Sequence, residues 1–161
     1  MGHLCRRAGP LLMPATRADV VAESRSWVGT PYHLAADIKG VGVDCALILI
    51  KIFADLGLIE YFDPRPYSSD WFLHRSEEVY MGLVEARARR VERAAVQPGD
   101  VALLKIGRCF AHGGVVTVAE PLTMVHAYRR YGQVVEEVVS QNADVAERME
   151  SALFFSYWPS A

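Results

Sequence analysis

Apolar and polar positions follow two different spacings along this chain, and the change of spacing divides it. Residues 1–15 follow neither and read as a loose arm ahead of a single domain, 16–161. From Thr16 or Asp19, either of which can cap a helix, Val20, Val21, Ser24 and Trp27 recur at helical spacing to about Val28. Gly29 ends that run, and "GTPY" turns the chain. Residues 33–43 read as a loop carrying Gly40 and Gly42. A second helix is expected from Asp44 or Cys45 to about Leu56, with Gly57 as its stop. "YFDPRPYSSDW", 61–71, is broken by prolines and predicts no regular element. A third helix is expected over about 70–90, with Asp70 as a cap and the arginine-rich "EARARRVERAA", 85–95, as a solvated helix face.

Beyond "QPGD" the spacing becomes that of strands. Runs at 100–106, 112–119, 123–129, 133–139 and 152–158 are rich in valine, leucine and aromatic residues, with turn residues between them. Helices first and strands second predict an α+β fold, with N-terminal helices packed on a C-terminal antiparallel sheet.

Composition narrows the function classes. The chain has 161 residues, 52% of them hydrophobic and 22% charged, enough for one domain with a real core. A net charge of −2 gives no electrostatic case for nucleic acid or for an anionic membrane surface. No run reaches the ~20 apolar residues of a membrane span. Leu11, Leu12 and Met13, cut by Pro10 and Pro14, do not make a secretory signal. Synthesis in the cytoplasm is therefore the expectation. Cys5, Cys45 and Cys109 are too few and too far apart for a disulfide framework or a structural zinc site, so neither metal nor cofactor is expected.

Cys45 is the candidate with chemistry. It stands where a glycine-flanked loop meets an apolar helix, and a helix N-terminus stabilises a thiolate through its free N–H groups. A nucleophilic cysteine also needs a base. His3 lies in the arm and His74 on a polar face, whereas His33, in the loop before Cys45, is a candidate substrate contact. His112 and His126 fall on successive strands. Folding that hairpin about residue 120 puts His126 two positions from the residue opposite His112 on the same face, so the rings can touch. One would act as base and the other would orient it; core histidines bonded to backbone are the alternative.

Five motifs, in this order, resemble the NlpC-type cysteine peptidases of bacterial cell walls: "WVGTPY" (27–32), "GVGVDC" (40–45), "QPGDVALL" (97–104), "HGGVV" (112–116) and "MVHAY" (124–128). The resemblance covers about 20–158. It implies a reduced papain-like α+β fold, with Cys45 attacking an amide of the peptidoglycan stem peptide, His112 as base and His126 as its orienter. By the same resemblance the bond is γ-D-Glu–diaminopimelate. Tyr32 matches a tyrosine lining the family's site, and Asp44 either holds a substrate amine or caps the helix. The 61–71 segment further resembles a branch found in phage tails and gene-transfer agents. That implies tail proteins as partners and a virion that carries the enzyme to the wall. The alternatives are an idle tail-tip assembly protein that keeps the fold, or a related thiol amidase or acyltransferase. Ala46 and Leu47 stand where the family has serine and glycine, and Leu47 is expected to narrow the approach to the thiol.

Overall fold

The computed structural model describes residues 14–68 and 79–159. Residues 1–13 of the expected arm, and Asp70 and His74 of the expected third helix, lie outside the described residues. Helix α1, Arg17–Ser26, begins with a capping box in which Thr16 and Asp19 bond each other's backbone N–H. A short hairpin follows, β1 (Asp37–Ile38) with β2 (Gly42–Val43), inside what the sequence pattern presents as plain loop. Helix α2 is Leu47–Asp55, and Gly57 stops it in the left-handed region at φ 70°. Residues 61–68 form neither helix nor strand, as their prolines require. Helix α3 is Val79–Glu85.

The helix expected to run on to residue 90 ends at Glu85. Arg89–Val91 is instead an edge strand, β3, and Arg93–Ala95 a single 3-10 turn. The reason is tertiary: Val91 is buried, and β3 pairs with the last strand, β8 (Leu153–Ser156), while its arginines face water. The sheet continues through β4 (Val101–Ile106), β5 (Cys109–Val118), β6 (Thr123–Tyr128), β7 (Gln133–Val138) and β8 (Leu153–Ser156). Its six strands run in the order β3-β8-β4-β5-β6-β7, every neighbour antiparallel. Between β7 and β8 lies helix α4, Ala143–Met149, capped by Asn142 and absent from the expectation.

The sheet has an apolar core on each face. Helices α1 to α3 pack on one, through Val20, Leu47, Ile48, Ile52, Phe53, Tyr80 and Val84 against Leu103, Val115, Val125 and Phe155. Helix α4 closes the other, with Val145 against Leu104, Val116, Met124 and Phe154. This is the expected α+β arrangement, with a second helical layer that the sequence pattern does not disclose.

Candidate functional site

Cys45 sits one residue before the cap of α2, and Asp44 builds that start. The Asp44 carboxylate is buried and accepts from Ala46 N (3.1 Å), Leu47 N (2.9 Å), Ala35 N (2.8 Å) and the Tyr67 hydroxyl (2.5 Å). A carboxylate has about four acceptor positions, and four donors inside the chain take them up. In this geometry Asp44 binds the N–H groups at the start of α2 and ties the preceding loop and Tyr67 to the helix. Leu47 is fully buried in the core, so it does not narrow the approach to the thiol. Its place in the sequence is beside the nucleophile, but its side chain turns inward with the apolar face of α2.

Strand β5 opens to receive the sulfur. The Val116 N–H and C=O bond to Asp100 and Gly99, on the side of β4. Ala111 is the extra residue of a bulge against β4, since His112 lies opposite Leu104 and Phe110 opposite Lys105. Pairing with β6 stops at Val115, opposite Val125. The Cys45 thiol fills the unpaired edge, donating to the Ala111 carbonyl at 3.6 Å with the Gly113 N–H facing the sulfur. The sulfur thus lies against the backbone on both sides of His112. No hydrogen bond joins Cys45 to the His112 ring among the described residues; the thiol's own bond goes to Ala111.

The two strand histidines form a pair. His112 Nε2 is 2.7 Å from His126 Nδ1, and both rings are buried. Val115 opposite Val125 and Val116 opposite Met124 give the register, which sets His126 across from Gly114. A side chain on Gly114 would meet Val125 O at 2.9 Å and His126 Cβ at 3.0 Å, so the missing Cβ is what lets the His126 ring lie over β5 and reach His112. The relay continues past the two rings. His126 Nε2 is 2.8 Å from Glu137 Oε1, and Asn142 donates to both Glu137 oxygens at 3.1 and 3.2 Å. Tyr128 stacks on His126 with ring centroids 5.0 Å apart and bonds Asp144, which also pairs with Arg148.

Burial sets the resting charges. It pushes the Cys45 thiol up to about 12, the neighbouring Asp44 charge adding to the effect and the N–H groups of Cys45, Gly113 and Ala46 opposing it. The low thiolate pKa expected of a helix start is therefore not met: desolvation and an adjacent acid outweigh the helix end. Burial likewise holds His112 well below the ordinary imidazole value, with His126 and Arg148 adding to it. Thiol and base are both neutral at rest. Burial also raises Glu137, but the bonds from His126 and Asn142 outweigh it and keep its carboxyl below the usual value.

The remaining expected residues divide. Tyr32 is half-buried near the thiol, its phenol pushed up by burial first and then by the charges of Cys45 and Asp44. His33 is exposed, with its ring against Gly42. Cys109 is fully buried. Three residues near the relay and thiol have no sequence signal. Tyr80 donates to the Cys45 carbonyl at 2.9 Å, Tyr67 holds Asp44 from the proline-broken segment, and Glu137 lies in "QVVEEVV", which reads only as a strand.

No family model matches this sequence, and no curated protein matches it. Solved structures do share its fold. The NlpC/p60 domain of the peptidoglycan hydrolase SagA superposes with a TM-score of 0.60 at 16% identity, over 88% of this chain and 99% of that one. The peptidoglycan hydrolase RipB of Mycobacterium tuberculosis gives 0.59 at 19% identity, over 89% and 65%. An N-acetylmuramoyl-L-alanine amidase from Bacteroides uniformis gives 0.54 at 12% identity, over 86% and 97%. The fold is that of the NlpC/p60 papain-like domains.

Proposed function

We propose that this chain is a cysteine peptidase that hydrolyses an amide bond in the peptide stems of bacterial peptidoglycan, the γ-D-Glu–diaminopimelate bond by its motif resemblance. The observation that carries the reading is the thiol at the start of α2, lodged on the open edge of β5 beside a histidine that is itself bonded to a second histidine. Two structures of the same fold are peptidoglycan hydrolases, which agrees with it.

In the proposed reaction Cys45 Sγ attacks the amide carbonyl as its proton passes to His112 Nδ1, the ring nitrogen not bonded to His126. The Cys45 backbone N–H at the helix start faces the developing oxyanion. The amine leaves with the proton from His112, and water, deprotonated by the same ring, releases the acyl group and restores the thiol. Because thiol and imidazole are both neutral at rest, proton transfer accompanies attack and no thiolate–imidazolium pair is stored beforehand. Tyr32 lines the approach to the sulfur, and His33 stands at the loop rim as a substrate contact. Asp44, with its acceptor positions filled, holds the wall of the site.

Delivery by a phage-tail or gene-transfer-agent particle completes the proposal; its support is the resemblance of residues 61–71. A second reading, an idle tail-tip assembly protein, is favoured by the raised thiol and the missing thiol–imidazole bond. Digestion of purified muropeptides, with products assigned by mass, tests the first reading and names the bond. Cleavage between sugar and peptide would move the assignment to an amidase. No cleavage, with Cys45→Ala particles assembling and infecting normally, would establish the second reading.

A further inference from the structure

The relay does not end at the second histidine, and its far end has a consequence for the base. We infer that Glu137 is a positioning residue that fixes the proton on His112 two rings away, leaving His112 Nδ1 bare to accept the thiol proton. This rests on the peptidase reading for its role in turnover, but its structural content stands apart from that reading.

The argument follows donors and acceptors along one line. An ionised carboxylate can only accept. Both Glu137 oxygens already receive the Asn142 amide, at 3.1 and 3.2 Å, and Glu137 Oε1 also faces His126 Nε2 at 2.8 Å. Nitrogen and oxygen at that distance need a proton between them, and only His126 can supply it. His126 Nε2 therefore carries hydrogen; with that as the ring's single proton, Nδ1 is bare. His112 Nε2 lies 2.7 Å from that bare nitrogen, so it must be the donor there. His112 is neutral, so its Nδ1 holds a lone pair. With one proton on His126, a relay running the other way would put a proton on Glu137, against the bonds that hold its carboxyl below the usual value.

The partners of Glu137 are themselves held. Asn142 is the cap of α4 through Val145 N, and its Nδ2 also meets the Tyr131 hydroxyl at 3.3 Å. Helix α4, set between β7 and β8, thereby orients the acid, the acid orients His126, and His126 orients the base. When His112 takes the thiol proton the new positive charge is bonded through His126 to the Glu137 carboxylate, which favours the charged state without any proton leaving Nε2.

The test is nitrogen NMR on the full-length protein labelled with 15N-histidine, at about pH 8 where free imidazole is neutral. Wild type should show the shared proton bonded to His112 Nε2 and a proton on His126 Nε2. In Glu137→Gln, whose amide can donate as well as accept, part of the His112 signal should move to a species with the shared proton on His126 Nδ1. The isosteric variant keeps the size of the side chain; Glu137→Asp, with its charge retained, should keep the wild-type pattern wherever the fold is intact by circular dichroism. On a cleavable muropeptide, Glu137→Gln should lower kcat at least about tenfold with KM little changed, as for a group acting on the transition state. A shared proton found on His126 Nδ1 in wild type, or a Glu137→Gln spectrum identical to wild type, overturns the inference. If the protein cleaves no muropeptide, the spectra still decide the role of Glu137, while the peptidase reading fails separately.

Discussion

His112 binds its proton less readily in the folded chain than in the unfolded one, because burial first, and then His126 and Arg148, penalise its charged form. The unfolded chain takes up that proton near the ordinary value of 6.5, and the folded chain does so only further down. Stability from this group is thus complete above 6.5 and is lost as pH falls from there toward the folded value. Thermal unfolding followed from about pH 8 to about pH 5 should show a falling midpoint, and His112→Asn should flatten that fall. An equal fall in both proteins would place the titrating group elsewhere. The same depressed base stays competent below 6.5, and the raised thiol adds no ionisation of its own up to about pH 9, so kcat/KM should be level between those limits. A steep loss on going from about pH 7 to about pH 6 would contradict the neutral resting pair.

At the scale of elements, the opening between β5 and β6 is what makes the site, and Gly114 beside it leaves no room for a side chain. Gly114→Ala drives a methyl group into Val125 O and His126 Cβ, contacts that cannot relax without parting the strands or turning the ring. We expect a loss of about 1–3 kcal/mol in stability, read from urea unfolding, and separation of the His112–His126 bond with loss of turnover. Unchanged stability and turnover would mean that the close approach is unimportant. Much of this element structure is legible locally. Thr16 with Asp19, and Gly57, bound two helices at the expected places, and a hairpin folded about residue 120 gives the observed register that brings the histidines together. What is not legible depends on distant partners. Arg89–Val91 becomes a strand only because β8, more than sixty residues away, offers it an edge. Helix α4 buries just Val145 and has little apolar spacing to show, although Asn142 before "ADV" is a usable cap signal. Glu137 is one of two adjacent acids in "QVVEEVV", and its bond to Asn142, before α4, has no local sign.

Across the whole molecule, α1 is tied through Arg17 to β8 and to the turn that leads into β4. Arg17 pairs with the buried Asp100 at 2.7 Å, bonds Ser156 Oγ at 3.0 Å and Pro98 O at 3.1 Å, and lies over the Trp158 ring at 4.3 Å. Arg17→Ala strands the Asp100 carboxylate in the interior. The cost should be about 2–3 kcal/mol, less than that of breaking a fully buried pair because Arg17 is partly in water. Arg17→Ala combined with Asp100→Asn should recover part of it, and a double variant no better than the single one would show that the pair itself matters little. This anchor lies away from the thiol, so the single variant should lower the unfolding midpoint while kcat stays within about twofold at temperatures where the fold persists. The helices on one face carry Cys45, the sheet carries both histidines, and α4 on the opposite face steadies the relay through Asn142. The site therefore spans both layers of the fold. The measurement that tests its meaning most directly is the release of new amino groups from purified peptidoglycan peptides, compared between wild type and Cys45→Ala and assigned by mass spectrometry. Turnover by wild type at one amide bond of the stem peptide, abolished in Cys45→Ala with the fold intact, is the expected result; no cleavage by wild type, or equal cleavage by Cys45→Ala, would contradict it.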